Sequence, residues 1–351
     1  MRNKRPPKIR VKKKRQAVAV YVFLLGFVFF AVAGVRFYQL VGDVAVSPAV
    51  FVEQPTESVA EDAPAAQTFI DFSALLPKVT LPEKSEIPEG MVAVYDKDLS
   101  SSTSSDFSGV RVKNSTSLSD NQVAEILQQR SKLKVEFNSD EPQVLIMHTH
   151  CTESYLDYAV GYYDPATATR NTDNNQNTAR VGQEIAAVLN ANGICTLQDT
   201  TQHDYPNYNG AYDRSRDTVL GYLNKYKSIK IVLDVHRDAI IYSDNTWGKP
   251  VCTIGSQTSA QIMIIVGCNS SDTPIPNYAD NLRFAAGLQQ KADQMYAGLM
   301  RPILFRYSFY NQDLTTGSIL LDMGSQANTL SEAVQAGRFI GSALVEYLKE
   351  Q

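Results

Sequence analysis

The chain has 351 residues, with 33 lysines and arginines against 37 aspartates and glutamates, and a formal net charge of −4. Nine of the basic residues lie within residues 1–16, which contain no acid, so the rest of the chain is clearly acidic. This distribution argues against nucleic acid as a partner of the acidic part. The four cysteines have no CxxC spacing, which argues against a zinc knuckle.

Residues 1–16 are predicted to form a basic cytoplasmic tail, and residues 17–36 a transmembrane anchor. The nineteen residues from Ala17 to Val35 carry no charge. As a helix they would span roughly 28 Å, close to the thickness of a bilayer core. Because basic flanks stay in the cytoplasm, the C-terminal bulk of this single-pass protein is expected outside the cell membrane. A cleaved signal peptide is the alternative, but the apolar stretch is longer than such segments usually are.

Residues 37–106 are predicted to be a low-complexity extracytoplasmic stalk, and residues 107–351 the catalytic domain. The stalk is rich in Ala, Pro, Ser, Glu and Val, and it contains the run SSSTSSD. Such composition is typical of extended, poorly packed chain. The remaining 245 or so residues are ample for one core.

The catalytic domain is predicted to be α/β, with a mostly parallel sheet covered by helices, because apolar strand patterns alternate with helical ones from residue 142 onward. A short strand at 110–113 and a helix from Ser119 to Arg130 precede this alternation. The predicted strands are 143–149, 194–198, 229–235, 260–267, 302–306 and 317–322. The predicted helices are 177–191, 212–226, 279–297 and 328–349.

Three of the four histidines lie at the ends of apolar strands. His150 follows the run VLIM and precedes Glu153 by three residues, and His236 follows the run IVLDV. Two histidines and one carboxylate leave an open position on zinc for a reactive water. Sites in α/β sheets gather at the carboxyl ends of strands. The sequence therefore predicts a zinc hydrolase with His150, Glu153 and His236 as ligands, and ordinary polar strand ends are the alternative.

Other polar residues are candidates for supporting roles. His148 alternates with His150 along the strand, so it should face the opposite side, as a packed residue or a partner of the ligands. His203 lies in a loop, where it could contact metal or substrate or simply pair with Asp204, and Asn311 is a further candidate for contact with the site or substrate. Asp322 ends the strand SILLD and is the candidate base that takes a proton from water. A helix cap or a salt bridge is the alternative role for Asp322.

The cysteines allow more than one interpretation. Cys252 and Cys268 could lie on neighbouring strands, and disulfides are permitted but not required outside the cytoplasm. Cys151 lies beside His150 and could be a soft metal ligand, but a small buried side chain is the favoured interpretation.

As a set, these motifs resemble the stage II sporulation protein P family over roughly residues 107–351. They occur in the order HTHCTESY, NTARVGQEI, HDYPNYNGAYDRSRDTV, IVLDVHRDA, QIMIIVGCN, YNQDLTTGSILLDMG and ANTLSEA. The resemblance implies a zinc N-acetylmuramoyl-L-alanine amidase that cuts the bond between the muramic lactyl group and the first alanine of the peptide stem. It also implies that septal peptidoglycan is thinned during engulfment in the sporulating cell, and that peptide cross-links are a further substrate.

The resemblance also implies partners and site roles. The implied partners are stage II sporulation proteins D, M and Q. His150, Glu153 and His236 fall where zinc ligands are expected, and Arg237 is a candidate to hold a substrate carboxylate or carbonyl. One position departs from the pattern of the related amidases, because Asp322 stands where they carry glutamate. A group misplaced by about 1 Å can cost on the order of a hundredfold in rate, so Glu332 is retained as an alternative base.

Two rival functions remain open from the sequence. An extracytoplasmic zinc peptidase of carboxypeptidase type also uses a His-x-x-Glu pair and a distant histidine. A metal-free wall-binding scaffold with a decayed site is supported only by Asp322. The released fragments would distinguish the two enzymes, and the zinc content would distinguish both from the scaffold.

Overall fold

The computed structural model describes residues 87–351 apart from residue 160, and these belong to one compact unit. The predicted tail, the predicted anchor and most of the predicted stalk lie outside the described residues. Within residues 87–351, no helix is both long enough and apolar enough to cross a membrane.

The described part of the chain contains twelve strands, which are in chain order β1 (Val92–Lys97), β2 (Ser105–Phe107), β3 (Val110–Ser115), β4 (Val144–Met147), β5 (Tyr162–Tyr163), β6 (Thr196–Gln198), β7 (Ile231–Asp238), β8 (Trp247–Ile254), β9 (Gln257–Ala260), β10 (Ile262–Gly267), β11 (Ile303–Arg306) and β12 (Gly317–Ser325). The five helices of the described residues are α1 (Asp120–Leu127), α2 (Thr178–Ala191), α3 (Ala211–Lys225), α4 (Tyr278–Met295) and α5 (Leu330–Lys349).

Eight strands form the main sheet in the order β2-β3-β11-β10-β12-β7-β4-β6. Only the β2–β3 and β10–β12 pairs are antiparallel, so the predicted mostly parallel sheet is confirmed. The central strands β4, β10 and β12 are buried along their whole length. Their continuous apolar runs are typical of strands covered on both faces.

Helices cover both faces of this sheet. Ile146 and Leu233 belong to the large core that includes residues of α2, α4 and α5. The neighbouring residues Leu145 and Val232 point the other way and pack with Val219 of α3. Alternate side chains of β4 and β7 thus pack against helices on opposite faces of the sheet, as the strand geometry requires.

Two helices begin with well-formed caps that the sequence carries. Ser119 and Thr329 each accept a hydrogen bond from the backbone three residues on, and Gln122 and Glu332 return a side chain to the cap residue. Such capping boxes satisfy backbone donors that the first turn leaves unpaired. They explain why α1 and α5 begin where they do.

A second, smaller sheet has the order β5-β1-β8-β9 and was not predicted. Its strand β1 runs parallel to β8, with Val94 opposite Trp247. β1 lies within residues 37–106 and β2 begins there, so the C-terminal end of the predicted stalk contributes strands to the folded unit. β1 escaped prediction because it is six residues long and its partner β8 is about 150 positions away.

Candidate metal centre

Adjacent strands of the main sheet bring the predicted ligands to one edge. Met147 of β4 pairs in parallel with Asp234 of β7, so the chain that follows each residue emerges at the same edge. His150 lies just beyond β4, and His236 lies near the end of β7. On the other side of β7, Asp322 of β12 is directly opposite His236.

One ligand atom from each of His150, Glu153 and His236 lies within 4.8 Å of the other two. Nδ1 of His150 is 3.7 Å from Oε1 of Glu153, and Nδ1 of His236 is 3.4 Å from Oε2 of the same carboxylate. Ligands about 2.0–2.2 Å from a tetrahedral zinc ion are roughly 3.4 Å apart. The three residues are 9% exposed or less. This set fits a divalent metal ion in donor type, spacing and burial.

Backbone and side-chain contacts orient two of the ligands, Glu153 and His236. The backbone N–H of Arg237 donates to Oε2 of Glu153 at 3.1 Å. Oδ1 of Asp234 lies 2.8 Å from Nε2 of His236, although the pair is poorly aligned for a hydrogen bond. Asp234 is held in turn by Thr149, whose backbone N–H and Oγ1 donate to its two oxygens at 2.8 and 2.7 Å. A carboxylate behind a ligating histidine is a common way to fix its ring.

The charges of the cluster favour a cation. Burial lowers the pKa of His150 to about 4, with help from the neighbouring His236, so the ring is uncharged near neutral pH and has one nitrogen free to bind a metal. Burial would raise the pKa of Glu153, but His236 and Arg237 outweigh that effect and hold it at about 2. Burial also lowers the pKa of His236, yet Asp234 and Glu153 more than offset this and raise it well above its ordinary value. Two carboxylates therefore stabilise positive charge at this point.

Asp322 is buried beside the three ligands. Burial raises the pKa of its carboxyl well above the ordinary value, and the neighbouring Asp238 raises it further. The guanidinium of Arg301 pairs with Asp238 at 2.9 Å, which limits that repulsion. Asp322 is thus close enough to His236 and Glu153 for their charges to influence its pKa, and the assignment of Asp322 as base stays a prediction.

His148 lies outside the cluster. Its Nδ1 is 2.9 Å from the backbone oxygen of Val235, and its Nε2 is 3.0 Å from Nε2 of Gln198. Burial lowers its pKa to about 4, so the neutral ring donates from Nδ1 and accepts the amide N–H of Gln198 at Nε2. A β-carbon at Gly182 would lie 2.6 Å from this ring, so the histidine is packed against α2.

His203 is also outside the cluster, and its suggested pairing with Asp204 is wrong. Nε2 of His203 is buried without a hydrogen-bond partner, and the carboxylate nearest to it is that of Asp199, at 3.9 Å. Asp204 instead accepts hydrogen bonds from Thr152 and Arg170. The backbone oxygen of His203 accepts from Arg214, which fixes the loop.

The remaining candidates have identifiable contacts. Arg237 donates from its side chain to the backbone oxygens of Ser154, Thr169 and Asp238, so its role toward substrate stays a prediction. Asn311 donates to the backbone oxygen of Tyr212 and to Ser215 of α3. Glu332 belongs to the cap of α5 and is 3.3 Å from Nζ of Lys249.

All four cysteines are free thiols in the structure. Cys252 lies on β8 of the small sheet, whereas Cys268 follows β10 of the main sheet. Cys151 is buried, and its Sγ contacts the side-chain oxygen of Asn174 and the backbone oxygen of Thr200 at 3.6 Å. Burial raises the pKa of its thiol to about 12, which suits a packed side chain better than a thiolate ligand.

Sequence reasoning missed two residues that stand over the ligands. The ring of Tyr208 stacks on His150, with centroids 4.6 Å apart and an interplanar angle of 22°. The guanidinium carbon of Arg170 lies 4.8 Å from the Tyr208 centroid. Both residues come from loops without strand or helix periodicity, and the only available signal was the density of tyrosines near residue 208.

Comparison with known proteins gives one family match. The model of the family "Stage II sporulation protein P" matches residues 76–345. Stage II sporulation protein P of Bacillus subtilis (strain 168) is 31% identical over 208 residues, which cover 56% of this chain and 49% of that protein. The matched region thus spans about half the length of this curated relative.

Solved structures that resemble this chain include two amidases. N-acetylmuramoyl-L-alanine amidase AmiC2 of Nostoc punctiforme is 11% identical, with a TM-score of 0.36, and the overlap covers 60% of this chain and 97% of that one. An N-acetylmuramoyl-L-alanine amidase from Clostridium difficile 630 is 14% identical, with a TM-score of 0.33, over 60% of this chain and 97% of that one. Both scores are too low to establish a common fold.

Proposed function

This chain belongs to the stage II sporulation protein P family, and on that premise we propose that it is a zinc-dependent peptidoglycan hydrolase. Its main reaction is cleavage of the amide bond between N-acetylmuramic acid and the first L-alanine of the peptide stem, during engulfment in sporulation. Cleavage of peptide cross-links is a second reaction to be tested on the same substrate.

One observation carries this proposal. Two imidazole nitrogens and one carboxylate oxygen converge within 4.8 Å at the edge of the main sheet, and all three residues are buried. The donor set is that of a hydrolytic zinc site with three protein ligands. His150, Glu153 and His236 would hold the ion, which when bound would supply Lewis-acid chemistry and lower the pKa of water.

The neighbouring residues supply the rest of the chemistry. Asp322 lies next to His236 in the sheet, where its carboxylate can take a proton from the attacking water and return it to the leaving amine. Asp234 and the backbone N–H of Arg237 hold His236 and Glu153 in orientation. Burial of the whole set excludes bulk water and strengthens these interactions.

The full chain, purified in detergent, tests the proposal on isolated peptidoglycan. We expect about one zinc per chain, and products that are glycan strands without stems together with stems that begin with a free L-alanine amine. Free amines that come only from within the stems would instead indicate an endopeptidase or carboxypeptidase. A protein without zinc and without products would overturn the proposal.

We also propose the topology that the basic tail and the apolar stretch at residues 17–36 predict. The hydrolase would be held at the cell membrane, facing the peptidoglycan outside the cytoplasm. Protease added to intact protoplasts should remove the C-terminal domain, and protection of that domain would exclude this orientation. The proposed protein partners, stage II sporulation proteins D, M and Q, can be tested by cross-linking in sporulating cells.

A further inference from the structure

Arg170 stands between the candidate metal centre and solvent. Its backbone pairs with that of Glu153 in an isolated antiparallel bridge. Its Nη2 is 3.8 Å from Oε1 of Glu153, and 39% of its side chain is exposed. A cation is therefore presented to solvent within a few ångströms of the proposed ligands.

The guanidinium is held in one orientation. Nη1 donates to Oδ2 of Asp204 at 2.5 Å and to Oγ1 of Thr152 at 3.2 Å. The Asp204 side chain is completely buried and also accepts from Thr152, so it cannot swing away. The guanidinium carbon lies over the ring of Tyr208, which itself stacks on His150.

This fixation leaves one edge of the guanidinium available. Within residues 87–351 apart from 160, neither Nε nor Nη2 of Arg170 has a hydrogen-bond acceptor; the oxygen of Glu153 is too distant from Nη2 to be one. Nε–H and one N–H of Nη2 point in the same direction and form a fork that matches the two oxygens of a carboxylate. The fork is rigid, so little side-chain entropy is lost when a carboxylate binds.

We propose that this fork binds a free carboxylate of the peptide stem, so that Arg170 selects anionic stems over amidated ones. The inference rests on the proposed function, because it takes the muramoyl-alanine amide as the scissile bond. The glutamyl residue that follows the first alanine carries a carboxyl group which, in some peptidoglycans, is a carboxamide. Two extended residues reach roughly 7 Å, which is long enough to carry a stem carboxylate from the scissile amide to a guanidinium whose Nη2 lies 3.8 Å from Glu153.

The experiment compares two soluble N-acetylmuramoyl-L-alanyl-D-glutamyl substrates with the full chain, and in both the γ-carboxyl is capped as a methylamide. The anionic substrate has a free α-carboxylate, and the amidated substrate has an α-carboxamide. The wild-type protein should cleave the anionic substrate with a kcat/KM about ten- to a hundredfold higher, the range expected for charge-assisted bonds. Arg170→Ala should abolish that preference through KM, with kcat, zinc content and cleavage of the amidated substrate little changed. Arg170→Lys keeps the charge but loses the fork, so it should restore only part of the preference.

Arg216 offers a matched control. It pairs with Asp313, lies over the ring of Phe309, and has 30% of its side chain exposed, so Arg216→Ala removes similar contacts away from the centre and should keep the preference. A wild-type protein without any preference would overturn the proposal. So would an Arg170→Ala variant that slows both substrates equally or loses zinc, because that outcome indicates a purely structural arginine.

Binding measurements test the carboxylate site independently of the proposed hydrolysis. Calorimetry with the matching N-acetyl-L-alanyl-D-glutamyl γ-methylamides, one with a free α-carboxylate and one with an α-carboxamide, needs no hydrolysis. If neither muramoyl substrate is cleaved but the acid still binds more tightly than the amide, and only when Arg170 is present, the carboxylate site stands and the proposed reaction fails. If cleavage proceeds but both dipeptides bind equally, the carboxylate site fails and the reaction stands.

Discussion

The candidate site has a floor and a rim that are built in different ways. The floor consists of His150, Glu153, His236 and Asp322, which are all at most 9% exposed and lie on or next to strands of the main sheet. The rim consists of Arg170, Asp204 and Tyr208, which come from loops and are held by one another. Its outer members, Arg170 and Tyr208, are substantially exposed.

Because the floor and the rim are built differently, substitutions in them should have different effects on function. Strand register fixes the floor, so a change there should affect metal binding or the chemical step itself. The rim contacts the floor through the stacking of Tyr208 on His150 and through Arg170, whose backbone bridges to that of Glu153 and whose Nη2 is 3.8 Å from the Glu153 carboxylate. Changes in the rim should therefore alter substrate preference or local stability while the metal remains bound.

The largest effect is expected on the floor, from His236→Ala. Loss of a ligand should reduce zinc affinity by more than the ten- to hundredfold typical of partners behind a ligand, and hydrolysis of peptidoglycan should fall below detection. Zinc content and product release measure both effects. His203→Ala is the control, since it removes a buried histidine outside the ligand set and should retain zinc. Full zinc and a normal rate in His236→Ala would show that the floor is not the metal centre.

The second-largest effect is expected from Asp322, because a substitution there should impair proton transfer while zinc stays bound. Asp322→Asn should keep zinc and lose about 10²- to 10⁴-fold in rate, because an amide cannot accept the proton of water near neutral pH. Asp322→Glu tests the fit of the shorter side chain. Its rate should hold or rise if the floor suits the longer carboxylate, and fall if β12 has moved inward so that the added methylene crowds the reacting water. A wild-type rate in Asp322→Asn would mean that the base is elsewhere.

The third-largest effect is expected from Thr149, which contacts the partner of a ligand rather than a ligand itself. Thr149→Val keeps the shape of the side chain but removes the hydroxyl that donates to Asp234 at 2.7 Å. The buried carboxylate loses one partner, which should cost about 1–3 kcal/mol of unfolding free energy and about tenfold in zinc affinity. Thermal melts and zinc titration measure the two losses, and Thr149→Ser, which keeps the hydroxyl, should show neither. Equal behaviour of the two variants would remove Thr149 from the floor's support.

The floor was predictable from sequence to a large degree, and the rim was not. The strand ends VLIM-HTH and IVLDV-H carry both the burial pattern and the candidate ligand types, and parallel pairing then brings them together. Arg170 and Tyr208 follow no such period, because their positions depend on the buried Asp204 and on loop paths about 35 residues apart. β1 was missed for the same reason, because its pairing with the distant β8 is visible only in three dimensions.

The smallest effect is expected from His203, which lies in the same loop as Asp204 and Tyr208. Burial lowers the pKa of its imidazole, only partly offset by Asp199, so the folded protein binds its proton less readily than the unfolded chain. As pH falls below the ordinary value of 6.5, the unfolded state takes up this proton and the protein loses stability, by no more than about 1.4 kcal/mol per pH unit for one group. His203→Gln removes the titration, so its melting temperature should fall less than that of the wild type between about pH 7.5 and about pH 5.5. His148 and His150 titrate in both proteins, so the difference between the two curves isolates His203. Parallel curves would mean that this loop opens enough for water to reach the ring, and the rim would then be looser than its contacts indicate.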